Sequence, residues 1–153
     1  MKIARFGLAK IATLGLIGIT AAAAAQSPVQ RDAANLARFE RYAGAPQDSL
    51  HYFRTDGFQY LGRDASGNDA VAIWTGVNDV YLFKLQAPCI DLQYANAIGL
   101  KSTLGNVNAR MDYIKYGRGR ECRIETIRKV DYKAMKAEKI RGIDYPTAQE
   151  HGQ

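Results

Sequence analysis

Between Ser27 and Ala43 the apolar residues Leu36, Phe39 and Ala43 recur at the spacing of one helix face. Ser27 offers a cap, Pro28 suits the first turn, and Gly44 and Pro46 stop the run. The pattern then shortens to that of strands. "SLHYFR" and "FQYLG" flank the short turn "TDG" and predict a hairpin, and "RDASGND" is the next turn. "AVAIWT" and "VYLFKLQ" lie on either side of "GVND". In the second run Tyr81, Phe83 and Leu85 share one face and Val80 and Leu82 the other, which predicts a central strand buried on both sides.

Pro88 and Cys89 end that run, and "IDLQYANAI" predicts a short helix capped by Asp91. "GLKSTLG" leads into "NVNARMDYIKY", the cleanest alternation in the chain. Val107, Ala109, Met111 and Tyr113 fall on one side, and Asn108, Arg110 and Asp112 on the other. "GRGR" turns the chain and "ECRIETIRKV" returns. There Cys122 and Ile124 share a face while Ile127 is out of step, which calls for a bulge near Thr126 or a second buried face. "DYKAMKAEKIR" predicts a terminal helix capped by Asp131. The class that follows is α+β and mainly antiparallel β. It is a small barrel-like or sandwich-like sheet of six to seven strands, with an N-terminal and a C-terminal helix and one disulfide.

The first residues change where this domain is expected to work. Lys2, Arg5 and Lys10 precede an uncharged apolar run from Ile11 to Thr20 and then a run of alanines, the three-part pattern of a secretory signal peptide. Ala23 and Ala25 fit the small positions before a cut, so residues 1–25 are expected to leave and Gln26 to become the N-terminus. The apolar run is half of the roughly 20 residues that a spanning helix needs. No cysteine stands at the cut, which speaks against a lipid anchor. Residues 26–141 then form a single globular domain with no later membrane-spanning stretch, and 142–153 a loose C-terminal tail. The expected location is periplasmic or secreted.

Export decides the role of the two cysteines. In an oxidising compartment Cys89 and Cys122 make one bridge with nothing left over. They stand 33 residues apart, too far for a C-x-x-C redox site. A structural zinc site wants about four Cys or His ligands, and only His51 and His151 are on offer besides. Neither a metal nor a cofactor is expected. Closing so long a loop stabilises by roughly 3–4 kcal/mol in the chain-entropy model.

Charge narrows the contact surface. Formal net charge is +6, and removing the three cations of the leader lowers it to +3. Lys115 to Arg141 alone carries ten basic and four acidic residues. Arg118, Arg120, Arg123, Arg128 and Lys129 belong to the last hairpin, and Lys133, Lys136 and Lys139 to the helix after it. Such a face attracts anionic lipid head groups or acidic glycans, or merely keeps a protein soluble. Nucleic acid is not expected outside the cytoplasm. The partner is otherwise open, an anionic envelope component or an envelope protein.

Catalytic candidates are few. His51, with Asp48 or Asp56, is the weak enzymatic alternative, a cell-envelope hydrolase; a histidine packed in the strand or lying on its surface is the plainer reading. "DASGND" (Asp64 to Asp69) has glycine fourth rather than sixth, and Thr75 where an EF-hand has glutamate, so it reads as a solvated turn. Trp74 and the nine tyrosines supply core area.

The runs W-T-x-x-N-x-x-Y-L at Trp74 to Leu82, P-C-x-D-L at Pro88 to Leu92 and C-R-I-x-x-I-R at Cys122 to Arg128 resemble an uncharacterised proteobacterial domain of unknown function, numbered 6491. The likeness covers Arg38 to Lys136. It implies export and structural cysteines, and it carries no activity across. The reading is therefore a non-enzymatic binding or structural module of the cell envelope with a basic C-terminal face. Intact mass of the protein purified without reductant is expected to start at Gln26 and to fall two hydrogens short of the dithiol. An unprocessed chain or two free thiols would overturn the export argument.

Overall fold

The computed structural model describes residues 27–51, 54–102 and 105–140; the expected signal peptide and C-terminal tail lie outside the described residues. Helix α1 spans Pro28–Tyr42. A reciprocal cap closes its start: Gln30 N donates to Ser27 Oγ at 3.3 Å, and Ser27 N donates to Gln30 Oε1 at 2.9 Å. Its buried residues are Leu36 and Phe39. Strands β1 (Ala43–Gln47), β2 (Ser49–His51), β3 (Gly57–Arg63), β4 (Asp69–Trp74) and β5 (Val80–Leu85) follow. A 3-10 turn at Leu92–Tyr94 leads to β6 (Ile98–Lys101), β7 (Asn106–Asn108), β8 (Tyr113–Tyr116) and β9 (Arg120–Val130), and α2 (Tyr132–Ile140) ends the fold.

Six strands in the order β3-β4-β5-β9-β8-β6 make a curled half-barrel, antiparallel throughout. β1 adds to the far end of β9, and β2 pairs with β7 as a separate ribbon. The expected α+β class, its two helices and its disulfide are all present. β9 is the spine. One of its edges carries β5; the other carries β8 along Arg120–Arg123 and β1 along Ile127–Val130. The segment between those two neighbours closes the gap. Arg110 N donates to Ile124 O at 2.7 Å, and Ile124 N donates to Asp112 O at 3.0 Å.

The sheet is buried on both faces because β5 is apolar on both. Tyr81, Phe83 and Leu85 join Val71, Ile73, Ile114, Cys122, Ile124 and Ile127 in one core, inside the curl. Val80 and Leu82 join Leu61, Ala70, Ala72 and Val130 in a second, under Leu36 and Phe39 of α1 and Met135 of α2. Ile127 follows from a bulge: Leu85 pairs with Ile124 but Lys84 with Thr126, so Glu125 is the extra residue and the alternation is reset. Trp74 borders the second core, its ring edge-to-face with Phe39 at 6.1 Å and Tyr132 at 5.7 Å.

Four local expectations need correction. β2 does not return along β3 as a hairpin; it pairs with β7, where Leu50 and Val107 bury into the first core opposite each other. The run after Tyr42 is not only a helix stop, since β1 follows α1 at once. The segment 90–98 holds a single 3-10 turn, and Asp91 lies at φ 62 with no side-chain cap. The stretch 106–116 is not one strand. Asp112 is buried and breaks it, accepting from Asn108 N at 2.6 Å and Asn108 Nδ2 at 3.0 Å, with Arg110 at φ 64 and Met111 turned outward. A short-range carboxylate cap here outweighs the alternating pattern.

Charges fasten α1 to the sheet. Lys84, on β5, reaches Glu40 at 2.8 Å and Asp64 at 3.0 Å. Burial alone would lower its ammonium, but the bonds to Glu40 and Asp64 hold it above its ordinary value. Burial likewise opposes ionisation of Asp64, yet Lys84 and the Asn68 and Ser66 N–H groups keep that carboxyl below its ordinary value. The predicted turn at 64–68 therefore exists, organised by Asp64.

A close approach fixes α1 against β3. Gly62 lies at φ +87 beside a register shift, and a Cβ there would stand 3.1 Å from Asp32 Cβ. Gly62→Ala is expected to destabilise by about 1–3 kcal/mol through backbone strain and that contact. Gly67→Ala shares the positive φ but meets open space, and is expected to cost less in thermal denaturation. Equal costs would refute the helix contact.

Candidate functional site

Two loops at one end of the half-barrel are built as a unit. The first leaves β5, passes through a cis Ala87–Pro88 bond and reaches Cys89. The second is the turn Gly117–Arg118–Gly119 between β8 and β9, with both glycines at positive φ and Tyr116 opposite Arg120. Cys89 and Cys122 bridge them, with a Cα–Cα distance of 5.7 Å. Ile90 O accepts from Tyr116 Oη at 3.1 Å and from Arg120 Nη1 at 3.0 Å, and Arg120 also pairs with Asp91. Burial raises the Tyr116 phenol; Arg120 pulls it down, while Asp69 and Asp91 add to the rise.

A buried carboxylate anchors the first loop from inside. Asp69 opens β4 and is almost wholly buried, not solvated as its place in "DASGND" implies. Cys89 N donates to its Oδ2 at 2.9 Å, while Tyr60 Oη at 2.6 Å and Arg63 Nε at 3.1 Å donate to its Oδ1. Burial, then the bond to Asp69, pushes the Tyr60 phenol far above its ordinary value, so Tyr60 keeps the proton that it donates.

Within the anchored loop Leu92 points into the first core. Its neighbours two positions away point out: Ile90 is 62 % exposed and Tyr94 73 %. The tip thus presents an aliphatic and an aromatic side chain beside an arginine turn. Among the described residues Arg118 and Arg123 have no ion-pair partner, whereas Lys115 pairs with Glu121 and Arg120 with Asp91. Arg123 donates to the Arg110 carbonyl and stays exposed.

The other predicted basic residues lie elsewhere. Arg128 clamps β1, donating to Gly44 O at 2.6 Å and Ala43 O at 2.8 Å. Lys129 pairs with Asp79 at 3.2 Å and lies over the Tyr81 ring, and the bond to Asp79 with the nearby Tyr81 phenol raises its ammonium. Lys129 and Lys133 line a cleft of about 590 Å³ with Tyr42, Tyr132, Asn78, Asp79 and Asp131. Asp131 there caps α2, accepting from Ala134 N at 2.9 Å, as the sequence predicts. Lys136 lies over the Tyr132 ring on α2, 4.5 Å from its centroid; Lys139 is in the same helix. Five to six steps of strand at about 3.3 Å separate Arg123 from Arg128 and Lys129, about twice the ~8 Å screening length at physiological salt. The basic residues therefore form two groups.

His51 is exposed on β2, its Nδ1 3.0 Å from Asn106 Oδ1. Asp48 is engaged by Arg110 at 3.0 Å and Asp56 by Arg54 at 2.8 Å. Among the described residues no group of three His, Cys, Asp or Glu gathers as a metal site requires, and no helix is long and apolar enough to cross a membrane.

The model of DUF6491, a family of unknown function, matches residues 4–143, and the chain belongs to that family. No curated protein and no solved structure matches it.

Asp69 is the feature that sequence reading missed, for nothing in a turn-like "SGND" signals burial. Asp69→Asn places an amide NH₂ against one of the three donors that meet it and is expected to cost about 1–3 kcal/mol in thermal or urea denaturation. An unchanged midpoint would show that the carboxylate does not hold the loop.

Proposed function

We propose that this protein is a non-enzymatic binding module of the cell envelope, exported by its leader, that meets an anionic partner through the disulfide-stapled tip. The one feature that carries this reading is the pair of uncompensated arginines, Arg118 and Arg123, on a hairpin fixed by Cys89–Cys122. A rigid tip loses little conformational freedom on binding, so its charges act at small entropic cost. Arg120 holds the loop in place and contributes charge indirectly. Arg128 serves the fold. Lys129 and Lys133 belong to the distant cleft, whose lining also holds Asp79, paired with Lys129, and Asp131. A disulfide and a charged leader both support work outside the cytoplasm.

The test is retention of the oxidised mature protein on an immobilised anionic polysaccharide, eluted by salt. Arg118→Glu is expected to elute at clearly lower salt and to weaken binding by about thirtyfold, as two charge units at roughly 1 kcal/mol each imply. Lys133→Glu is expected to change elution far less. The reverse order would move the contact surface to the cleft and refute the tip.

A further inference from the structure

The tip carries more than charge. Ile90 and Tyr94 are two of the five large apolar side chains most exposed among the described residues. They sit within five residues of one loop, and that loop is hydrogen-bonded to the arginine turn. Val29, Val77 and Met111, the other three, stand on separate segments.

We propose that this tip docks on an anionic phospholipid surface, with Ile90 and Tyr94 entering the head-group layer and Arg118 meeting lipid phosphate. The inference rests on the tip being the contact surface and names its partner. Each part of the chemistry fits. An aliphatic side chain gains by leaving water, and a tyrosine has an apolar ring and a polar end suited to the boundary between head groups and acyl chains. Guanidinium groups bind phosphate oxygens with paired N–H donors. Of the cations without an acidic partner, Arg118 stands at the turn and Arg123 at the far end of the same hairpin, so charge alone holds the protein weakly and the apolar pair must supply much of the affinity. A soluble polyanion offers nothing for Ile90 or Tyr94 to enter, whereas a bilayer does. Shape agrees as well. The side chains project from short loops locked by a disulfide, by Tyr116 and Arg120 on Ile90 O, and by Cys89 N on Asp69, so they reach the surface without ordering a flexible segment. The cleft offers no comparable chemistry, since none of the most exposed apolar side chains lines it and its Lys129 is paired with Asp79.

The experiment is co-sedimentation of the oxidised mature protein with phosphatidylcholine vesicles, with and without phosphatidylglycerol. Binding is expected only with the anionic lipid. The double variant Ile90→Ser/Tyr94→Ser, at exposed positions, is expected to fold normally, to bind the vesicles at least about tenfold more weakly and to keep its retention on the anionic polysaccharide. In a third variant, Ile90→Trp, indole fluorescence is expected to be quenched by brominated acyl chains beyond the quenching of wild-type Trp74. Polysaccharide retention without vesicle binding would overturn the lipid inference and leave the binding module standing. Vesicle binding indifferent to Ile90 and Tyr94 would overturn it as well. Loss of both interactions would sink both readings.

Discussion

A carboxylate removed from water must be met by donors, or its burial costs several kcal/mol. Asp69 is met by three, from three parts of the chain: Tyr60 and Arg63 on β3, and the backbone N–H of Cys89 beyond β5. The arrangement joins the edge of the sheet to the loop that carries the disulfide. With that loop placed, Cys89 faces Cys122, Leu92 enters the core, and Ile90 O lies where Tyr116 and Arg120 reach it. The bridge, worth roughly 3–4 kcal/mol for a loop of this length, thus shapes one end of the molecule as well as stabilising the whole.

The other organising element is β9. Its first half pairs with β8 and supplies the tip; its second half pairs with β1 and leads into α2. The bulge at Glu125 lets one strand serve both, turning Ile124 and Ile127 into the same core despite their odd spacing. Both cores lean on the pair β5–β9, so the helical side and the curled side share one wall. The wall also separates the basic residues by the strand's length, and a run dense in Lys and Arg becomes two surfaces of different chemistry.

Much of this was legible in the chain. Two-sided burial of β5 followed from Val80 to Leu85 being apolar throughout, save Lys84. Ile127 announced the bulge, Ser27 and Asp131 marked both helix starts, and the two cysteines pointed to their bridge. The misses share a cause. Asp69, Asp112 and Asp91 are short polar residues whose roles depend on what faces them, and their local pattern is that of any turn. β2 found its partner far along the chain rather than next door, because Leu50 and Val107, paired across the two strands, complete the first core together. Pairings so distant leave no periodic trace in one sequence. The exposed pair Ile90 and Tyr94 was hidden for the same reason: a helix was expected there, and only the folded 3-10 turn shows Leu92 turned inward and its neighbours outward.

That Asp69 and the disulfide make two loops into one rigid tip is tested most directly by amide hydrogen exchange on the oxidised and the reduced protein. Reduction is expected to deprotect residues 89–95 and 113–123 while α1, β4 and β5 keep their protection. Uniform loss across the chain, or unchanged protection at the tip, would contradict it.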